Sequence, residues 1–99
     1  MKVYILKCSD NSYYTGVTSN LEKRLKQHED GFFLHCYTFD RRPLQLMFYR
    51  EFNDNMEAIA FEKRVKGWSR AKKEALISGD IVKLKELSRS KSNASTTSP

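Results

Sequence analysis

The amino-acid sequence predicts an α+β fold, a small three-stranded antiparallel sheet flanked by helices in the order β-β-α-β-α-α. Three features lead there. Residues 2–8 (KVYILKC) and 12–17 (SYYTGV) are short runs rich in β-branched and aromatic side chains, and a third such run lies at 44–52. Residues 21–29 and 56–68 carry apolar side chains at helical spacing. A length of 99 residues suits one compact domain and is too short for two.

Each element follows from local chemistry. Ser9-Asp10-Asn11 is a turn, because short polar side chains hydrogen-bond the nearby backbone, so the first two strands form a hairpin. Side chains alternate along a strand, which puts Tyr4, Leu6 and Cys8 on one face and pairs Tyr14 with Gly16. Ser19 or Asn20 caps a helix over 21–29, with Leu21 and Leu25 as its buried stripe and Gly31 as its stop. Residues 32–42 (FFLHCYTFDRR) show no clean period and read as a loop with buried anchors. Pro43 opens the strand at 44–52, which places Leu44, Leu46, Phe48 and Phe52 on one face, interrupted by Arg50. The cluster Asn53-Asp54-Asn55 caps a helix over 56–68, whose Ala58, Phe61, Val65 and Trp68 form an amphipathic stripe. Ser69 caps a helix over 70–77, and Asp80 a short last one over 81–87. The domain is therefore expected to span 1–87. Residues 88–99 (SRSKSNASTTSP) hold no large apolar side chain and are expected to form a disordered tail.

Composition narrows the function classes. With 39% hydrophobic and 30% charged residues, the chain is neither collagen-like nor wholly disordered. Its apolar runs fall far short of the roughly 20 residues that span a bilayer, so no membrane is expected. The opening Met1-Lys2-Val3-Tyr4 has no leader pattern, which predicts a cytoplasmic protein with Cys8 and Cys36 as reduced thiols. Their spacing with His28 and His35 matches no zinc ribbon or finger. The net charge is +6, and residues 62–74 hold six basic side chains against two acidic ones. A surplus of that sign favours a polyanion. Lys63, Lys66, Arg70, Lys72 and Lys73, with Arg41 from the loop, are the expected nucleic-acid contacts; the plainer reading is a solvated helix face.

A few residues break their own patterns. Arg24 and His28 flank the apolar stripe of their helix and sit four apart, so both can reach one point. Glu62 flanks the stripe of its own helix between Phe61 and Val65. The plainer readings are snorkelling for the first two and an i, i+4 pair with Lys66 for Glu62. Tyr4 and Tyr14 suit a strand core. Gly16, inside a strand pattern, marks a bulge or the close approach of backbone to a ligand.

Taken in order, these residues resemble the GIY-YIG nuclease superfamily, and most closely its small stand-alone bacterial members. The half-motifs are Val3-Tyr4-Ile5-Leu6 and Tyr14-Thr15-Gly16; the helix 20–28 (NLEKRLKQH), Arg41-Arg42-Pro43 and the block 61–70 (FEKRVKGWSR) follow at matching spacing. The resemblance covers residues 2 to about 80. The chain departs from it in lacking Gly-Ile before Tyr4 and in carrying Thr15 and Val17 where relatives have isoleucine and lysine.

The resemblance implies a metal-dependent endonuclease that hydrolyses DNA, with a non-catalytic nucleic-acid-binding module on the same fold as the alternative. It gives Tyr14 the role of general base, Tyr4 a supporting role, Arg24 the stabilisation of the transition state, and Glu62 the metal. His28 would orient Tyr14 or donate to the phosphate or leaving oxygen. A phosphodiester requires these parts because water attacks weakly and charge builds on the phosphoryl oxygens. One carboxylate suffices for Mg²⁺ (or Mn²⁺), which keeps most of its waters. The implied substrate is branched, nicked or single-stranded DNA in repair or recombination, with a protein partner supplying specificity.

Overall fold

The structure is a computed structural model and describes residues 1–88. Strand β1 (Lys2–Lys7) is followed by β2 (Tyr13–Thr18), α1 (Leu21–Glu29), a 3₁₀ turn (Phe39–Arg41), β3 (Gln45–Glu51), α2 (Asn55–Lys66) and α3 (Arg70–Ser78). Residues 81–88 are helical as well. Apart from Ser88, the segment expected to be a tail lies outside the described residues. The chain divides into two compact units, the first Met1–Gly67 and the second starting at Trp68. The α+β class and the antiparallel sheet agree with the sequence reading.

The sheet order is β2-β1-β3, so β1 is central and antiparallel to both neighbours. Val3, Tyr4, Ile5 and Leu6 of β1 are all buried, and because side chains alternate along a strand, both faces of β1 are covered. Tyr4, Leu6 and Leu21 form a core cluster with Tyr14, Leu25 and Leu44 packed around it. Helix α2 packs on β2 and β1. Its Ala58 and Val65 are fully buried.

The capping residues act as expected. Asn20 Oδ1 accepts the Lys23 backbone N–H (3.1 Å), Asp54 Oδ1 that of Met56 (3.0 Å), and Ser69 Oγ that of Lys72 (3.2 Å). Asn11 adopts φ +70° in the hairpin turn, a conformation that asparagine tolerates.

Strand β3 departs from the expected pattern. Ile5 pairs with Phe48 but Leu6 with Leu46, so Met47 is an extra residue in a bulge. The bulge reverses the alternation, and Leu46 and Phe48 oppose successive residues of β1 instead of sharing a face. The loop 32–42 is anchored as expected, through buried Thr38. It is tied to the hairpin turn by Ser9 N–H to Arg41 O (2.8 Å) and to α1 by Arg42 Nη1–H to Glu29 O (3.0 Å).

Candidate active site

Every residue of the candidate site lies in the first unit. Tyr4 comes from the central strand, Tyr14 from β2 beside it, and Arg24 and His28 from successive turns of α1. Their side chains converge. The Tyr4 ring centroid lies 6.4 Å from that of Tyr14 and 5.9 Å from that of His28. His28 meets Tyr14 edge-on at 5.3 Å. Phe33 closes the group from the loop, 5.1 Å from the His28 ring and under the Arg24 guanidinium at 5.3 Å. Tyr14, Arg24 and His28, with residues 33–36, line a cleft of about 390 Å³.

His28 is 2% exposed, too deep for a snorkelling side chain. Its Nε2 is 2.9 Å from the Tyr4 hydroxyl, and its Nδ1 is 2.9 Å from Thr38 Oγ1. Two expectations change as a result. His28 orients Tyr4, and touches Tyr14 through its ring edge alone. Both ring nitrogens are engaged, so neither is free for a phosphate or a metal. Burial, reinforced by the Arg24 charge, lowers the His28 pKa to about 4 and keeps the ring neutral at physiological pH.

The two tyrosines are protonated at rest. Burial raises Tyr4 above the ordinary phenol value, although a hydrogen bond from Arg24 pulls the other way. Burial and a hydrogen bond to Cys36 raise Tyr14 still further. Burial also opposes ionisation of Cys36. Hydrogen bonds from Thr38 and Tyr14 outweigh it, and the thiol lies below its ordinary value. Cys36 and Thr38 belong to the loop without a sequence period, so no pattern marked them as site residues.

Gly16 sits directly across the strand pair from Tyr4. A Cβ built there would lie 2.5 Å from Tyr4 Cζ. The close approach expected at Gly16 is therefore made by the Tyr4 phenol and not by a ligand.

Glu62, on α2, is 8% exposed, and its charge contributes to raising the Tyr4 pKa. Its Oε2 is 2.9 Å from Lys66 Nζ, so the i, i+4 pair is also present. That ammonium marks where a cation rests against the carboxylate. Among the described residues no group of three or more His, Cys, Asp and Glu could hold a metal. A lone hard carboxylate suits an ion that keeps most of its waters, as Mg²⁺ does, and does not suit zinc.

The expected nucleic-acid contacts divide into two sets. Lys63 and Arg70 are exposed, as is Lys66 despite its pair with Glu62. Lys72 departs from the expectation of a solvent-facing cation: it is 8% exposed, with Nζ 4.3 Å from the Trp68 ring centroid. Lys73 is partly buried, which lowers its pKa. Arg41 is also engaged internally. Its Nε bonds Asp10 at 3.0 Å, its Nη1 bonds Tyr37 O at 2.8 Å, and its guanidinium stacks 3.8 Å over the Tyr37 ring. It braces the loop, because a guanidinium can satisfy several acceptors in one plane.

The profile of the GIY-YIG catalytic domain matches residues 1–75. The chain belongs to the GIY-YIG family. It is 44% identical over 84 residues to a UPF0213 protein of Clostridium perfringens, covering 82% of this chain and 86% of that one. It is 45% identical over 74 residues to the UPF0213 protein YazA of Bacillus subtilis, covering 75% and 74%. The solution NMR structure of a UPF0213 protein from Bacillus halodurans is similar to it, with TM-score 0.52 and 43% identity, over 78% of this chain and 81% of that one. These small GIY-YIG relatives agree with the resemblance drawn from the sequence, and the family is one of nucleases. Among the described residues no helix is long and apolar enough to cross a membrane.

Proposed function

We propose that this GIY-YIG domain is a metal-dependent endonuclease that hydrolyses DNA phosphodiester bonds. The observation that carries the reading is the convergence of Tyr14, Arg24 and His28 on one cleft, with Tyr4 packed behind them and Glu62 within electrostatic reach of Tyr4. Arg24 lines the cleft, and its planar permanent charge suits phosphoryl oxygens on which charge builds in the transition state. Tyr14 lines the same cleft and is the group placed to take the proton of an attacking water. It is protonated at rest, so its own proton must leave first, to water in the open cleft, and the Arg24 charge favours that loss. Glu62 would hold a divalent ion, Mg²⁺ or Mn²⁺, once Lys66 Nζ swings aside; Lys66 is exposed enough to do so. When bound, such an ion neutralises phosphate charge and acidifies a coordinated water.

The cleft is open and lies between α1 and the loop. It favours DNA whose backbone can bend into it, which branched, nicked or single-stranded structures allow. That preference fits a role in repair or recombination, with a partner protein supplying further specificity.

The test is cleavage of labelled flaps, junctions, nicked duplex and single strands with Mg²⁺, with Mn²⁺ and with chelator. Metal-dependent products that vanish in a folded Glu62→Gln variant are expected. Products that survive in that variant would remove Glu62 as the metal ligand. A salt-sensitive mobility shift without products on any substrate would favour the binding module.

A further inference from the structure

The hydrogen bonds behind the cleft run in one direction. Arg24 has donors only, and its charge beside Tyr4 repels a phenol proton aimed its way. The Tyr4 hydroxyl proton must then point elsewhere, and His28 Nε2 lies 2.9 Å away. An Nε2 that accepts carries no proton. The neutral ring therefore holds its one proton on Nδ1, 2.9 Å from Thr38 Oγ1. The Thr38 hydroxyl is free to accept because its own proton is spent on Cys36 Sγ at 3.4 Å. Donation thus passes from Tyr4 to His28, to Thr38 and to Cys36.

We propose that Thr38 is a positioning residue: by accepting Nδ1–H it holds His28 in the tautomer that receives the Tyr4 hydroxyl, which leaves the Tyr4 oxygen open to Arg24. Thr38 is 1% exposed, so no water replaces it if the hydroxyl is lost. An Nδ1–H left without an acceptor in that interior is costly, and the ring escapes the cost by moving its proton to Nε2. Nε2–H would then donate to the Tyr4 oxygen and turn the phenol proton toward the Arg24 charge. Arg24 would be displaced from the site where it meets phosphate. The low pKa of His28 agrees with this arrangement, since a ring held neutral must choose one tautomer.

The kinetic part of the inference rests on the nuclease reading; the tautomer does not. The test compares wild type, Thr38→Val and Thr38→Ser. Long-range ¹⁵N–¹H correlation spectra of the histidine rings, with His28 assigned through a His35→Gln variant, report the tautomer without any need for activity. Nδ1–H is expected in wild type and Thr38→Ser, and Nε2–H in Thr38→Val. Single-turnover cleavage is expected to fall about tenfold in Thr38→Val, with DNA affinity little changed, and to recover in Thr38→Ser. Nε2–H in wild type, or Nδ1–H retained in Thr38→Val, would overturn the proposal. So would a Thr38→Ser protein that has lost the wild-type tautomer, even if Thr38→Val fails to fold. A wild-type protein without cleavage would count against the nuclease reading, and the spectra would still decide the role of Thr38.

Discussion

Thr15 occupies the middle of the second half-motif and is 2% exposed, yet its Oγ1 has no hydrogen-bond partner among the described residues. A hydroxyl removed from water without a partner costs stability, whereas a methyl in its place does not. Thr15→Val keeps the shape and the β-branch. It is expected to raise the unfolding free energy by about 1 kcal/mol in thermal or urea denaturation, without loss of cleavage. A lower Tm would mean that the hydroxyl is satisfied after all. Single residues were unevenly legible in the sequence. Arg24, His28 and Glu62 stood out as polar groups beside apolar stripes. Cys36 and Thr38 did not, because their loop has no period against which to break.

At the level of elements, one cross-strand pair of the hairpin leaves no room for a side chain on β2. Tyr4 lies over Gly16, and the space that a Cβ would take is already filled by the phenol. Gly16→Ala must push Tyr4 off His28 or spread the strands. It is expected to destabilise the domain by about 1–3 kcal/mol and to reduce cleavage through Tyr4. A Gly16→Ala protein with wild-type Tm and wild-type rate would show that the phenol can move aside freely. Helices α1 and α2 were legible because caps and stripes are written within a few residues. Strand β3 was legible as a strand but not in its faces. The bulge at Met47 is set by pairing with β1, and a single inserted residue reverses every side chain beyond it.

For the whole molecule, the buried neutral His28 links stability to pH. Its folded pKa is about 4, below the 6.5 of an unperturbed histidine. Between those values the unfolded chain binds a proton that the folded chain refuses. Stability from this source is therefore complete above pH 6.5 and is lost as pH falls to about 4 and below, up to about 3 kcal/mol in all. Unfolding of wild type and His28→Gln at pH 7 and pH 4.5 checks this, because other titrating groups cancel in the comparison. The wild-type advantage is expected to shrink at the lower pH, and equal slopes would show that His28 titrates normally. Charge at this scale was only half legible. The surplus does begin at residue 62, but Lys72 and Arg41 spend their cations on aromatic rings and loop bracing.

The fold class, the element order, the helix caps and most of the polar groups that gather at the cleft were legible along the chain. Those features depend on near neighbours, on spacing along one strand or helix, and on which face a side chain takes. Which groups touch became visible in the folded chain alone. His28 reaches Tyr4 across 24 positions and Thr38 across ten. The folded chain also showed that the neighbour of Gly16 is a phenol. A hydrogen-bond partner far along the chain is set by how the elements pack, and periodicity carries no record of that.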